Sequence, residues 1–338
     1  MATISLPSSA PTGRPNVWRR LTKIGTPYFY LIPAAIVMGI ITFYPLAFQV
    51  WMSFTNYGLA NLRISAPAPD WVGLDNYIQI LKGNLGIANF NFFNMLAFNL
   101  FWTVSNVIIH VALGVLIAVV LNIEGVWFKR VYRALYVLPI VIPQIIVAAV
   151  WRNMYDPDYG AVNQALAWVG GLFNFSPALF HIRWIDQIAP PIPGIPLTLS
   201  YFALLFTNIW LGWPFMTIVA TGALQSIPHD LYEAADIDGA TGPQQFWRIT
   251  LPLLRPALVP AAVLGLITTF NLFSLIYFLS GGGPVRATEI LLTQAFRLVN
   301  ERQLYGVAAA FCVYIFFTLL ILTLLVNRIT RATESYDV

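Results

Sequence analysis

Six stretches of this chain are apolar over the length of a bilayer core and contain no Asp, Glu, Lys or Arg. They fall at residues 28–51, 97–121, 134–151, 197–220, 257–278 and 305–326. About 20 such residues are needed to cross the ~30 Å hydrocarbon layer as a helix. Inside that layer no water can satisfy a peptide group, and a helix bonds its own backbone within one segment. The fold class that follows is an all-α membrane protein with six transmembrane helices. The third stretch is the shortest and contains Pro139 and Pro143, which predicts a kink. Trp51, Trp102, Trp151 and Trp210, with Tyr28 and Tyr44, stand at or near the ends of stretches, where amphipathic rings favour the interface. Residues 1–27 and 327–338 are expected as tails outside the membrane, the first disordered.

Basic residues set the orientation. Arg14, Arg19, Arg20 and Lys23 precede the first stretch, and Lys129, Arg130 and Arg133 crowd the loop after the second. Arg248 and Arg255 lie between the fourth and fifth, and Arg328 and Arg331 follow the last. The other seven of the 18 Lys and Arg are spread over three longer loops on the opposite side. The positive-inside rule therefore puts both termini and the segment 225–256 in the cytoplasm. The first stretch is too long for the apolar core of a cleaved signal peptide and lacks a small-residue site at its far end. The one cysteine, Cys312, lies in the sixth stretch, which excludes an intrachain disulfide and argues against a metal cluster. A net charge of +4 fits cationic loops facing anionic lipid, with no nucleic acid as partner.

Ion-coupled carriers place ionisable side chains inside the membrane as relays or ion ligands. Here the only titratable group near mid-membrane is His110, which reads first as a hydrogen bonder between helices. Energy must then reach a transport pathway from elsewhere, and the cargo must carry little charge. The chain cannot itself hydrolyse ATP, because none of Lys23, Lys82 and Lys129 sits in a phosphate-cradling P-loop. Leu279-Ser-Gly-Gly-Gly283 reads as a flexible turn ending at Pro284. No Ser/His/Asp set, HExxH or paired carboxylate stands at a membrane face, so no catalytic residue and no metal site is assigned.

One polar block interrupts the apolar pattern between the fourth and fifth stretches. Asp230 can cap a first helix with Glu233 reaching back three residues later. Gly239 suits a left-handed helix end, Pro243 suits the first turn of a second helix, and Pro252 is expected to stop it. The sequence Glu233-Ala-Ala-Asp-Ile-Asp-Gly-Ala240, followed by Phe246-Trp-Arg-Ile-Thr-Leu-Pro252 and Pro256, resembles the EAA loop of the membrane subunits of ATP-binding-cassette importers. The resemblance implies a type I importer permease core in which this loop seats in a cytoplasmic ATPase. It assigns ATPase coupling to Glu233, Ala234, Ala235, Asp238, Gly239, Phe246, Leu251 and Pro252.

From Trp151 onward the chain is similar to the maltose/maltodextrin-type permeases. Asn208-Ile-Trp-Leu-Gly-Trp-Pro-Phe-Met216, Gly222-Ala-Leu-Gln-Ser-Ile-Pro228 and Gly306-Val-Ala-Ala-Ala310 carry the likeness. Enteric members have two further N-terminal spans and a large inserted periplasmic domain, whereas one span precedes the 55–94 loop here. The resemblance places sugar contacts on Leu211, Gly212 and Phe215 and on Thr268, Thr269 and Leu272, with Asn271 one position from where a family asparagine stands. A small residue beside an aromatic ring suits close stacking of a pyranose. Thr269 and Leu272 stand where the family has asparagines, which leaves the identity of the sugar open. Thr268, Asn271 and Leu272 share a helical face, which equally suits burial against a neighbour.

The outer loops 55–94, 152–196 and 280–304 hold Trp71, Tyr77, Phe90, Phe92, Phe93, Trp168 and Trp184 among many prolines. The resemblance implies that they receive a periplasmic or lipid-anchored sugar-binding protein. The expected assembly is a second, non-identical permease, a dimer of ATPase subunits and that binding protein, in the bacterial inner membrane. No cofactor is bound by this chain in such an assembly; ATP and magnesium belong to the ATPase. The alternatives are an uncoupled facilitator or secondary carrier of a small neutral solute, and a membrane-embedded enzyme. Orientation is open to a direct test. In a Cys312→Ala background, single cysteines at Ser65 and Ser176 should react with an impermeant maleimide from outside. Those at Thr241 and Ser335 should not, and external labelling at Thr241 would invert the topology.

Overall fold

A peptide group in hydrocarbon needs a partner within its own chain, and the apolar stretches are accordingly helical, with breaks at Ile142–Pro143 in the third and Asn271–Leu272 in the fifth. The computed structural model describes residues 17–63, 65–123 and 125–330, with side chains from Tyr28 onward. The expected disorder before residue 17, and Arg14, Arg331 and Ser335, lie outside the described residues. Helix α1 (Val17–Met38), a π-turn over Gly39–Phe43 and α2 (Tyr44–Met52) make one unit. Part of the expected tail over 1–27 is therefore helix.

The second unit begins at Ser53. It holds α3 (Asp75–Lys82), α4 (Phe92–Asn122), α5 (Lys129–Val141), α6 (Gln144–Met154), α7 (Ala161–Leu172) and α8 (Leu199–Gln225). Then come α9 (Asp230–Ile237), α10 (Gly242–Gln245), a π-turn over Phe246–Thr250, α11 (Leu251–Phe270), α12 (Phe273–Leu279), α13 (Leu291–Asn300) and α14 (Tyr305–Thr330). Five helical segments are long and apolar enough to cross a membrane: Tyr28–Met52, Phe92–Asn122, Leu199–Gln225, Gly242–Leu279 and Tyr305–Thr330. The pair α5 and α6 meets the same length and apolarity only when taken together across a 98° bend, which makes six if it counts as one span. Pro143 forces the extended conformation seen at Ile142 (ψ 129°), and that residue is the hinge.

Two boundaries depart from expectation for identifiable reasons. The second span begins at Phe92 instead of 97, because the Asn91 side chain accepts from Asn94 N at 2.9 Å and caps the helix early. The fifth span was expected over 257–278, with Pro252 ending the helix before it. Pro252 ends nothing. The preceding π-turn widens the backbone, and helix continues from Gly242 through Pro252, Pro256 and Pro260 to Phe270.

The bundle is organised around α4. A glycine at 114 lets α8 cross so closely that a Cβ there would lie 2.4 Å from Met216 Cβ. Below that crossing Val115, Ala118, Ala220, Leu224, Leu254 and Leu258 pack together; above it Trp102, Tyr201, Leu204, Leu275 and Ile276 form a second cluster. Beyond these, Ile80, Phe92, Phe270, Leu298 and Phe311 draw α3, α13 and α14 into a third. The turn read as flexible at 279–284 is tied down. Ser280 Oγ accepts from Gly282 N at 3.1 Å, Thr288 Oγ1 donates to Gly283 O at 2.6 Å, and Arg297 donates to Gly281 O. Beside it the fully buried Glu289 meets Arg286 at 2.8 Å and Arg297 at 3.1 Å. Burial pushes its carboxyl above the usual range while the two guanidinium groups pull it back.

One residue joins three of these elements. Asn99, fully buried on α4, donates to Phe270 O at 3.1 Å and accepts from Leu291 N at 3.0 Å. Asn99→Leu would keep the branched side-chain shape and strand both backbone groups. The expected cost is about 1–3 kcal/mol, read as a lower melting temperature of the detergent-purified chain. Asn300→Ala, which removes one exposed amide bonded to Phe296 O, should leave the melting temperature unchanged.

Candidate functional site

Between α4, α6, α8 and α11 lies a cavity of about 310 Å³. Leu211, Gly212 and Phe215 on α8, Thr268 and Thr269 near the end of α11, and Leu272 at the break after it all line this cavity. Asn271 does not: its amide turns back onto Ile267 O at 3.2 Å and closes the end of α11. The wall also includes His110, Asn208 and Gln144, which reasoning from the sequence left out of the pathway. Gln144 carried a usable signal as a lone amide directly after Pro143 in an otherwise apolar run. No Asp, Glu, Lys or Arg lines the space.

The polar groups around it are largely held in place. His110 Nε2 donates to Asn208 O at 2.9 Å, which fixes the tautomer, since a carbonyl can only accept. Asn208 Nδ2 donates to Asn106 Oδ1 at 2.7 Å, and Asn106 Nδ2 donates to Trp102 O at 2.7 Å. Thr268 Oγ1 shares its proton between Leu264 O and Gly265 O at 3.0 and 3.1 Å, leaving the oxygen able to accept from a ligand. Gln144 makes no hydrogen bond among the described residues, so its amide is free to donate and accept. Such a chamber offers a ring face at Phe215, neutral donors and acceptors, and no counter-charge.

Far along the same helices stands the polar hairpin. Gly239 takes φ +76°, ending α9, and Ala240 N reaches back to Ala235 O at 2.9 Å. Thr241 N donates to Gln244 Oε1 at 2.8 Å, which locks the start of the second arm, with Pro243 in its first turn. Tyr232 and Thr250 join the arms through their hydroxyls at 2.9 Å. The expected cap at Asp230 is absent: His229 occupies the cap position, and Glu233 turns to His229 Nδ1 at 3.0 Å. Once the helix starts at Asp230, that carboxylate lies inside the first turn and cannot reach the amides that an N-cap serves. Ala234 and Asp238 are exposed, Ala235, Leu251 and Pro252 half-buried, and Phe246 packs under the lower cluster. Ile237 is 87% and Trp247 66% exposed, an apolar pair on an otherwise polar element.

Residues 110–334 match the family of binding-protein-dependent transport system inner membrane components, and the chain belongs to that family. It is 31% identical over 325 residues to the maltodextrin transport system permease protein MdxF of Bacillus subtilis, covering 93% of this chain and 71% of that one. It is also 31% identical over 312 residues to the trehalose/maltose transport system permease protein MalF of Thermococcus litoralis, covering 92% and 95%. A crystal structure of a bacterial ABC transporter that imports the acidic polysaccharide alginate shares the fold, with TM-score 0.74 over 94% of this chain and 99% of that one at 22% identity. The same transporter is known in complex with an alginate pentasaccharide-bound periplasmic protein, again with TM-score 0.74. The chain is thus an inner-membrane permease of the sugar-transporting type of ABC importer, a class of subunit without a catalytic site of its own.

Gly212 has a reason the sequence did not disclose. A Cβ there would lie 2.1 Å from His110 Cε1, so the imidazole fills the space a side chain would take. Any substitution at 212 therefore disturbs the α4–α8 contact before it touches a ligand. Gly212→Ala should lower the melting temperature by an amount equivalent to about 1–3 kcal/mol of overpacking. Adding His110→Ala should recover part of that loss, and a double-mutant cycle on the purified chain measures the coupling.

Proposed function

We propose that this chain carries a neutral sugar, of the maltose, maltodextrin or trehalose kind, into the cytoplasm through the chamber between α4, α6, α8 and α11. The observation that carries this reading is the chamber's wall: an aromatic face at Phe215, amide and hydroxyl groups at Gln144, Asn208 and Thr268, and no charged side chain. An acidic sugar would need cations there, as bare carboxylates are costly to bury unpaired. A polyol needs a flat apolar face and neutral hydrogen-bond partners in place of its water. The names of the maltodextrin and trehalose/maltose relatives support the same cargo class.

In this reading a second, non-identical permease completes the pathway, and a binding protein delivers the sugar to the outer loops. Two cytoplasmic ATPase subunits consume ATP and magnesium. They grip the hairpin through Ile237 and Trp247, and Glu233, Ala234, Ala235, Asp238, Gly239, Phe246, Leu251 and Pro252 give that hairpin its shape. Both termini lie in the cytoplasm. Movement of the hairpin switches the chamber between outward and inward access.

Two substitutions separate passage from coupling. Phe215→Ala in the assembled transporter should cut sugar uptake roughly ten- to a hundredfold, the effect of losing ~1.5–3 kcal/mol of ring contact. ATP hydrolysis stimulated by the binding protein should persist. Gly239→Pro cannot hold φ +76° and should abolish uptake and stimulated hydrolysis together, with the chain still inserted in the membrane. Normal maltodextrin uptake in both variants, measured in proteoliposomes, would refute the reading.

A further inference from the structure

On the other face of α8 is a second space, a groove of about 470 Å³ that shares only Pro139 with the chamber's lining. Trp210 and Trp213 form its floor, and by helical spacing they face away from Gly212 and Phe215. Ile117 closes one side, and Tyr132, Leu135 and Tyr136 of α5 close the other. The rings of Tyr136 and Trp213 stand 5.8 Å apart. The lining is almost wholly apolar carbon, which a hydrocarbon chain fills and water does not.

The helix that walls this groove turns cationic just before Tyr132, the first α5 residue of the lining. Helix α5 begins at Lys129, and Lys129, Arg130 and Arg133 stand within the turn that carries Tyr132. None of the three makes an ion pair or hydrogen bond among the described residues, whereas Arg286 and Arg297 of the outer loop are both paired. Immediately before them Trp127 is 79% and Phe128 68% exposed, the aromatic signature of a bilayer interface. The apolar slot thus lies one helical turn from three cations that have no partner among the described residues.

We propose that this groove holds an acyl chain of an anionic phospholipid, with the headgroup phosphate bound by Lys129, Arg130 and Arg133. Charge complementarity selects the occupant: a second protein subunit would have to bring its own carboxylates to this corner, while an anionic lipid brings both the chain and the charge. The lipid braces α5 against α8 next to the 98° bend, which makes it a wedge beside the chamber wall. The proposal rests on the cytoplasmic placement of this loop only for the choice of leaflet. Its readout is lipid retention and not sugar transport, so the two readings fail separately.

The test uses the full chain, purified in neutral detergent with its permease and ATPase partners. It is mixed with equal amounts of phosphatidylglycerol and phosphatidylcholine, and retained lipid is counted by native mass spectrometry. Phosphatidylglycerol should be retained preferentially. The triple variant Lys129→Gln, Arg130→Gln, Arg133→Gln should weaken its retention on the order of ten- to a hundredfold, given the worth of each cation near a lipid phosphate. Arg328→Gln, an exposed cation on α14, should change nothing. Leu135→Trp should fill the slot and reduce retention of the lipid with all three cations intact. Equal retention of the two lipids, an equal effect of Arg328→Gln, or displacement by the same concentration of inorganic phosphate would overturn the proposal. So would a Leu135→Trp chain that keeps its lipid but no longer assembles with the second permease, which would make the groove a subunit interface.

Discussion

A helix that stops inside hydrocarbon leaves carbonyl groups with nothing to bond, and the break between α11 and α12 creates that problem at the centre of this bundle. The solution is a stripe of polar side chains on α4. Asn99 Nδ2 donates to Phe270 O, freed by the break, and Trp102 Nε1 adds a bond at 3.2 Å to Thr269 O, which also accepts from Leu272 N. Further along the stripe, Asn106 and His110 bind Asn208. One stripe therefore does both jobs: Asn99 and Trp102 bind the broken span, and Asn106 and His110 tie α4 to α8. The chamber exists because the break exists, and the break survives because α4 satisfies it.

This arrangement explains why the chamber's lining comes from so few places. Thr268, Thr269 and Leu272 reach the chamber because the helix turns aside at Asn271, whose own amide is spent on Ile267 O. Gly212 and His110 form one solid contact that closes the chamber floor. Groups left to meet a ligand include Phe215, the Gln144 amide, the oxygen of Thr268, the Thr269 hydroxyl and the Asn208 side-chain oxygen. The site is a small set of uncommitted groups inside a larger set already committed to holding helices together.

The architecture was legible where it followed from length and sign. Uncharged stretches located the spans, and Pro143 marked the bend, though only the fold gives its angle. Gly239 carried its left-handed turn openly, because a hairpin between two capped helices needs that conformation. What stayed hidden depended on partners distant in sequence. Nothing between Phe270 and Phe273 signals a break, since it is licensed by Asn99, 171 residues away. Pro252 reads locally as a stop and is overridden by a π-turn. Gly212 reads as room for a sugar, whereas His110, 102 positions earlier, occupies that room. Helix α13 lay unmarked inside the outer loop expected over 280–304, although Leu291, Ala295 and Leu298 repeat at helical spacing and are all buried.

The three prolines of α11 have a mechanical consequence. Pro252, Pro256 and Pro260 recur every fourth residue and so form one stripe, on the side away from the buried Leu254, Leu258 and Ala261. Each lacks an N–H, so the backbone along that stripe is missing successive rungs while the opposite side keeps its full ladder. A rod slit along one edge does not bend equally in all directions. It flexes readily where the slit can open or close and stays stiff across it. A force applied at the hairpin would thus be filtered by direction before reaching the chamber: one component absorbed as curvature, the other delivered undiminished to the break at Asn271.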